Sequence, residues 1–217
     1  MQPDIRWRRE GDRTLPVLLW RWPAPMRSIA SSPHGGGLGV RRWVVNAQVP
    51  AAYSRRDPDR HLSKLGVSLG LPGRGVGMLT AADVRANVEG LCEGVEVVAT
   101  VGLSQPILAA DREAQRSSHL AGTINVVATV PERLADAALV NAVATATEAK
   151  VQALMEAGYH ATGTATDAVC VLCPEEGRTA AFGGPRSVWG SRLALAVHSA
   201  VLAGALASDG PGPGVAR

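Results

Sequence analysis

The chain has 217 residues, 46% of them hydrophobic but only 4% aromatic, and a formal net charge of +3. That length suits one domain with a real core, made of closely packed Ala, Val and Leu. So small a charge, with no basic stripe interleaved with aromatics, argues against a nucleic-acid partner; the arginines at 6, 8, 9, 21, 41, 42, 55 and 56 read as a solvated face.

In chain order, residues 15–22 and 40–49 read as strands, the second with Val44, Val45 and Val49 as its β-branched positions. Residues 61–69 form a short amphipathic helix ended by Gly70 and Pro72. Residues 76–79 are a strand running into Thr80-Ala81-Ala82, and 83–91 are either a helix or the exit from that strand. Strands follow at 95–101 and at 124–130, the latter closed by Pro131. A long helix covers 134–157 and stops at Gly158; 168–172 and 178–182 make a hairpin around Glu175-Glu176-Gly177; a last helix covers 187–206. Strands and helices are mixed, and several links are very short. The fold class is therefore α+β or mixed α/β, a single layered domain with a mixed sheet covered by helices. Residues 14–208 are expected to form that domain, with 1–13 and 209–217 as flexible termini.

Nothing at the start reads as a secretory signal. The longest apolar stretch, 188–206, carries Arg192 and His198, which favours a buried helix over a membrane span. Three cysteines make no disulfide framework, and a cytoplasmic location is expected. Cys170 and Cys173 lie three apart on a strand and face opposite sides, so they read as structural cysteines, not a redox or zinc pair. The five histidines (His34, His61, His119, His160, His198) show no paired spacing; neither a metal nor a cofactor is expected. His198 itself reads as a packed or capped core histidine.

Three Thr/Gly-rich motifs stand out: Gly122-Thr123-Ile124-Asn125, Thr145-Ala146-Thr147-Glu148-Ala149-Lys150, and Gly163-Thr164-Ala165-Thr166-Asp167-Ala168. Each sets small residues, a hydroxyl and a carboxyl or amide at the end of an apolar element, as a preorganised polar site requires. In the long helix Val140, Ala144, Thr147, Val151 and Leu154 share a face, which puts Thr147 on the apolar stripe and Glu148 at its margin. The Thr147–Glu148 pair at that margin is then a shielded site, or else Glu148 and Lys150 are solvated helix residues. Asp167 is either a general base or an acceptor of local backbone bonds, and Asn125 either an oxyanion donor or an amide closing a turn. Ser31-Ser32-Pro33-His34-Gly35-Gly36-Gly37 links the first two strands as an anion nest or a plain surface loop. It superficially matches a lipase oxyanion loop, but the Gly-x-Ser-x-Gly elbow is absent.

Taken together, Ser31-Ser32 with Gly35-Gly36-Gly37, Val45-Asn46 with Val49, Val76-Gly77-Met78-Leu79-Thr80-Ala81-Ala82, Gly122-Thr123-Ile124-Asn125, Thr147-Glu148-Ala149-Lys150 and Gly163-Thr164-Ala165-Thr166-Asp167 resemble the adenosylcobinamide amidohydrolase family, from about Ser28 to about Ala203. The resemblance implies hydrolysis of the amide joining the aminopropanol arm to the corrin ring, giving adenosylcobyric acid for coenzyme B12 salvage. It implies a corrinoid as the small-molecule partner, with no nucleic acid and no membrane; a homo-oligomer stays open. It places catalysis on Asp167, Glu148, Asn125 and Thr123, and substrate binding on Ser31, Ser32, His34, Gly35, Gly36, Gly37, Asn46, Thr80, Thr147, Thr164 and Thr166. The chain departs from the family pattern at Ala109-Ala110-Asp111, where a glycine is lost beside Asp111, and at His198. The expected mechanism is direct water attack with Asp167 or Glu148 as base. The alternatives are a threonine nucleophile freed by cleavage at Gly122-Thr123 or Gly163-Thr164, a non-catalytic corrinoid-binding protein, and a related hydrolase of another amide.

Overall fold

One 18-residue strand organises the molecule. In the computed structural model, which describes residues 1–111 and 122–208, β1 (Asp4–Glu10) folds back on β2 (Arg13–Ala30). β2 also pairs antiparallel with β3 (Gly37–Gln48) along most of its length. Pro23 and Pro25 cannot donate to a ladder, and the register shifts between Arg21 and Met26. The bend lets β2 leave β1 and pair instead with β9 (Ala168–Pro174).

The remaining elements are α1 (Pro58–Ser68), β4 (Gly75–Thr80), β5 (Val88–Cys92), β6 (Val95–Gly102), β7 (Thr123–Thr129), β8 (Arg133–Leu134), α2 (Asp136–Glu156), β10 (Thr179–Ala180) and α3 (Val188–Leu206). The large mixed sheet runs β4-β3-β2-β9-β7-β6-β5, with β3–β4 and β7–β9 parallel and the other pairs antiparallel. It curls, so that β3 and β4 face β6 and β7 across an interior core of Leu18, Val44, Met78, Val98, Val127 and Leu172. The outer faces of β6, β7 and β9 pack on α2 and α3, and those of β2 and β3 on α1 through Leu62 and Leu65. The expected mixed α/β layering is what the chain adopts.

Alternation with period two sorts each strand between these cores. Ile124, Val126 and Ala128 face the helices while Val127 faces the interior; Val169, Val171 and Cys173 face the helices while Cys170 and Leu172 face inward. The two cysteines thus sit on opposite sides of β9. Burial pushes the Cys170 thiol up to about 12, so it is a packing residue.

Three expectations are corrected and one open alternative is resolved. Residues 1–13 are not loose: Ile5 and Trp7 lie on a strand, and Gly11 (φ +59°) with Asp12 forms the two-residue turn into β2. Of the two readings open at 83–91 the helix is excluded: the segment is a single 3₁₀ turn (Val84–Ala86), capped by the Asp83 carboxylate accepting from Arg85 N, followed by β5. Residues 178–182 make no hairpin with β9, whose two edges are already taken by β2 and β7; Thr179–Ala180 lies parallel to β8 instead. The buried face of α2 is Ala138, Leu139, Ala142, Thr145, Ala146, Ala149, Lys150, Ala153 and Leu154; of the expected stripe Leu154 lies on it, while Val140 is 55% exposed and Thr147 is exposed. Alanines allow α2 to approach α3 closely, and this decides the phase of the helix against the larger residues. The expected tail at 209–217 lies outside the described residues.

α3 has the length and composition of a membrane-crossing helix, but Leu193, Ala196, Val197, Ala200 and Val201 are buried against the sheet and α2. Its approach to β5 is closest at Gly90, where a Cβ would fall 2.0 Å from Ala196 O. Gly90→Ala is expected to cost about 1–3 kcal/mol of stability through overpacking, read as a lower urea midpoint with an unchanged slope.

Candidate active site

The interior-facing positions turn polar at one end of the curled sheet. On β7 they are Asn125 and Thr123, on β6 Thr100, on β3 Asn46, and on β4 Thr80. All five are buried. Asn125 Nδ2 donates to Asn46 Oδ1 (2.8 Å) and to Leu79 O (2.9 Å), and Asn46 Nδ2 donates to Thr100 Oγ1 (2.9 Å). Two acceptors at Nδ2 fix the orientation of the Asn125 amide. Both its protons are spent within the protein. It presents Oδ1, which is buried without a partner although the residue is only 1% exposed.

Above this floor opens a cavity of about 330 Å³. Ser31, Thr80, Thr123, Asn125 and Thr166 supply its polar wall; Val49, Pro50, Ala51, Pro58, Met78 and Ala81 make it otherwise apolar. Ser31 Oγ accepts from Val169 N and Thr80 Oγ1 from Ala82 N, which leaves both hydroxyl protons available to a ligand. A larger cavity, about 600 Å³, opens at the opposite end of the sheet beside Trp20, Trp22 and Met26, but none of the motif residues lines it.

Behind Thr123 lies a hydroxyl cluster. Thr123 Oγ1 is 2.6 Å from Thr166 Oγ1 and 2.8 Å from Gly122 O; Thr164 Oγ1 and Thr166 Oγ1 lie 2.9 and 3.1 Å from the same carbonyl oxygen. Thr164 Oγ1 also reaches Asp167 Oδ1 at 2.6 Å, the charge-assisted and stronger of its two contacts. Asp167 further accepts from Ile124 N (2.8 Å), Thr164 N (3.1 Å) and Lys150 Nζ (2.5 Å). Four donors occupy a carboxylate with about four lone-pair sites, so Asp167 anchors the groups around it. It ties the start of β7 and the loop before β9 to α2, through a Lys150 side chain that is 7% exposed.

The expected residues therefore separate. Ser31, Thr80, Thr123, Asn125 and Thr166 come together in the cavity, with Asn46 beneath and Thr164 and Asp167 behind. Thr147 and Glu148 do not join them. Thr147 is exposed and donates to Val143 O, and Glu148 is on the outer surface of α2, because the helix turns Thr145 and Lys150 inward. Ser32, His34, Gly35, Gly36 and Gly37 form the β2–β3 turn, which covers the free edge of β4: Gly77 N donates to His34 O, and Ser32 Oγ to the same oxygen. A Cβ at Gly35 (φ +67°) would strike Gly75 O at 1.9 Å. Arg41, buried behind the turn, donates to Gly35 O, so this loop is a folded cover beside a different cavity. Asp111 N closes a turn onto Leu108 O, and His198 bridges α3 to Glu156 of α2 at the surface instead of packing in the core. His119 lies outside the described residues.

Sequence reasoning missed three contributors. Lys150 had the same motif as its only signal. Tyr53 and Arg55 line the cavity from the irregular segment after β3, which has no periodicity to place it. Tyr53 Oη is 2.9 Å from His61 Nδ1 on α1, and His61 Nε2 is 3.6 Å from Glu10 Oε1. The carboxylate favours the tautomer with Nε2 protonated, leaving Nδ1 to accept the Tyr53 proton. Burial lowers the His61 pKa against the opposing pull of Glu10, with Arg8 and Arg55 lowering it further.

The family model described as adenosylcobinamide amidohydrolase matches residues 3–212. An adenosylcobinamide amidohydrolase from Methanosarcina mazei is 29% identical over 178 residues, 78% of this chain and 85% of the relative. Another from Halobacterium salinarum is 39% identical over 130 residues, 56% of this chain and 54% of the relative. A solved structure, the PH0078 protein from Pyrococcus horikoshii OT3, aligns with 92% of this chain and 80% of its own at a TM-score of 0.46 and 10% identity, a likeness too distant to inform the site. With nearly its whole length matched, the chain belongs to the adenosylcobinamide amidohydrolase family.

Proposed function

We propose that this protein hydrolyses the linear amide joining the aminopropanol arm to the corrin ring of adenosylcobinamide, releasing adenosylcobyric acid and aminopropanol in the cytoplasm. The observation that carries this reading is the cavity: apolar, closed below by the Asn46–Asn125 pair, and walled by Thr123, Thr166, Thr80 and Ser31. About 330 Å³ corresponds to roughly eleven water volumes. That admits the propionamide and aminopropanol arm but not a corrin ring. The ring then rests on the rim, against Pro33, Pro50 and Pro58 beside Arg55 and Tyr53.

The wall residues divide the chemistry. Asn125 Oδ1, the unpartnered acceptor, takes the N–H of the scissile amide. Thr80 and Ser31 donate to its carbonyl oxygen and to the negative charge that grows on it. Thr123 Oγ1 is the nucleophile, since Asp167 is saturated and Glu148 is remote from the cavity. Thr123 Oγ1 adds to the amide carbon, its proton passes to the departing nitrogen so that aminopropanol leaves as the C–N bond breaks, and one water hydrolyses the resulting ester to adenosylcobyric acid and the free Thr123 hydroxyl.

Incubation of the purified protein with adenosylcobinamide, followed by mass, is expected to give adenosylcobyric acid; Thr123→Ala is expected to lower the rate about 10³-fold or more. Tight binding without product would favour a corrinoid-binding protein. Glu148→Gln is expected to leave turnover within about twofold, as an exposed residue should. Lys150→Met, by stranding the Asp167 carboxylate, is expected to cost about 3–5 kcal/mol in urea unfolding.

The Tyr53–His61 contact gives a pH signature. Because the folded pKa of His61 is lowered, the folded state binds fewer protons than the unfolded one below the ordinary value of 6.5. Stability contributed by neutral His61 is therefore present above that value and is lost as the pH falls through and below it. KM for the corrinoid is expected to rise on that acid side, and His61→Gln to flatten the rise.

A further inference from the structure

We propose that the chain cleaves its own Gly122–Thr123 peptide bond, and that the freed α-amine of Thr123 becomes the base of the active site. The inference rests on Thr123 being the nucleophile. It answers a difficulty that this role raises: a threonine hydroxyl needs a base, and among the described residues no Asp, Glu or His lines the cavity. The carboxylate closest in the network, Asp167, is saturated by four donors, and the imidazole nearest the rim is already bonded to Tyr53.

The geometry around the bond is that of a reaction centre. The Gly122 carbonyl oxygen lies within 2.8–3.1 Å of three threonine hydroxyls. Thr164 gives its proton to the carboxylate of Asp167, so Thr123 and Thr166 share the other two. When Thr123 donates to Thr166 and Thr166 to Gly122 O, the nucleophile is relieved of its proton and the carbonyl is polarised by one relay. Gly122 offers no side chain to shield its carbonyl carbon; a Cβ there would meet Gly102 O at 2.9 Å and Thr164 Cγ2 at 3.1 Å. β7 is held by β6 and β9 on both edges, so Thr123 stays in place once the bond before it is gone.

The step balances without any group beyond water. Thr123 Oγ1 adds to the Gly122 carbonyl carbon, and the C–N bond breaks. The hydroxyl proton, passed over Thr166 to the Gly122 oxygen of the tetrahedral adduct, moves to the departing nitrogen as that oxygen re-forms its carbonyl, leaving an ester between Gly122 and the Thr123 oxygen. One water hydrolyses the ester to a Gly122 carboxyl and a free Thr123 hydroxyl, with the amine beside it. The second Gly-Thr pair is not so arranged. Gly163 O accepts from Ile107 N in a β-bridge, and Thr164 faces Asp167, outside the cavity lining.

The test is the intact mass of the purified chain, with N-terminal sequencing, alongside turnover of adenosylcobinamide. The expected result is two polypeptides, 1–122 and 123–217, in the wild type and in Thr123→Ser, and a single uncut chain in Thr123→Ala. Thr166→Val, which breaks the relay but keeps the shape, is expected to slow cleavage by about 10²-fold. Circular dichroism melts of each variant show whether it is folded. A single full-length wild-type chain that melts cooperatively overturns the inference, whether or not it turns over substrate; turnover by that chain would leave Thr123 as nucleophile without its own amine as base. Cleavage without turnover would uphold self-processing and overturn the proposed hydrolysis instead.

Discussion

The pairing of Asn46 with Asn125 across the interior is the constraint on which the site depends. The two residues lie on strands three places apart in the sheet order, and they meet only because the sheet curls far enough to bring β3 opposite β7. Their contact closes the apolar interior at one level. Below it the inward positions are Val44, Val76 and Val127; above it Thr80 and Thr123 bring hydroxyls. A buried amide pair of this kind costs free energy unless every proton and lone pair is matched. Here every polar side-chain atom of the pair has a partner within the protein except Asn125 Oδ1. That single omission marks where a ligand's donor belongs.

The second support works from outside. Lys150 and Asp167 form an ion pair under the wall of the cavity, where solvent barely reaches them. Its value is geometric. The carboxylate holds Ile124 N of β7 and both Thr164 N and Thr164 Oγ1 of the following loop, so one anion sets the spacing between two parallel strand starts. Thr123 precedes Ile124 and Thr166 precedes Asp167, which is why their hydroxyls meet at 2.6 Å. The parallel pairing of β7 with β9 brings the Gly-Thr-Ile-Asn and Gly-Thr-Ala-Thr-Asp motifs side by side although some forty residues separate them.

How much of this was legible in the sequence follows from what local pattern encodes. Strand alternation in β3, β4, β6, β7 and β9, and the Gly and Pro stops of α1 and α2, were readable because they are local. The residues that fill the cavity wall, Ser31, Thr80, Thr123, Asn125 and Thr166, were legible as hydroxyls and amides at element ends. Their partners were not. Whether Lys150 or Glu148 of one motif turned inward depended on the phase of α2, and that was set by its alanines packing on α3. A count of larger apolar residues pointed to Val140 and Thr147, the wrong side. Tyr53 and His61 meet only through the tertiary path of the loop after β3, for which no periodicity exists. The failed hairpin at 178–182 has the same origin: turn chemistry was correct locally, but β9 had no free edge to offer.

The chemistry of the site then follows from what the fold withholds as much as from what it supplies. The wall is made of hydroxyls, which are weak nucleophiles at neutral pH. The carboxylate of Asp167 in the cluster is held by four donors and spent on positioning. A site with good geometry and no proton acceptor can bind and orient an amide but has no group to draw the proton from its nucleophile. A primary amine set beside the hydroxyl would change that, since it takes up a proton near neutral pH and adds no bulk to the cavity. Among the described residues a nitrogen so placed is that of Thr123 itself, now locked in a peptide bond whose carbonyl oxygen is crowded by three hydroxyls. The same cluster thus has two uses at one position: it polarises an amide of the chain, and, with that amide opened, it presents the hydroxyl and its base to the amide of a substrate.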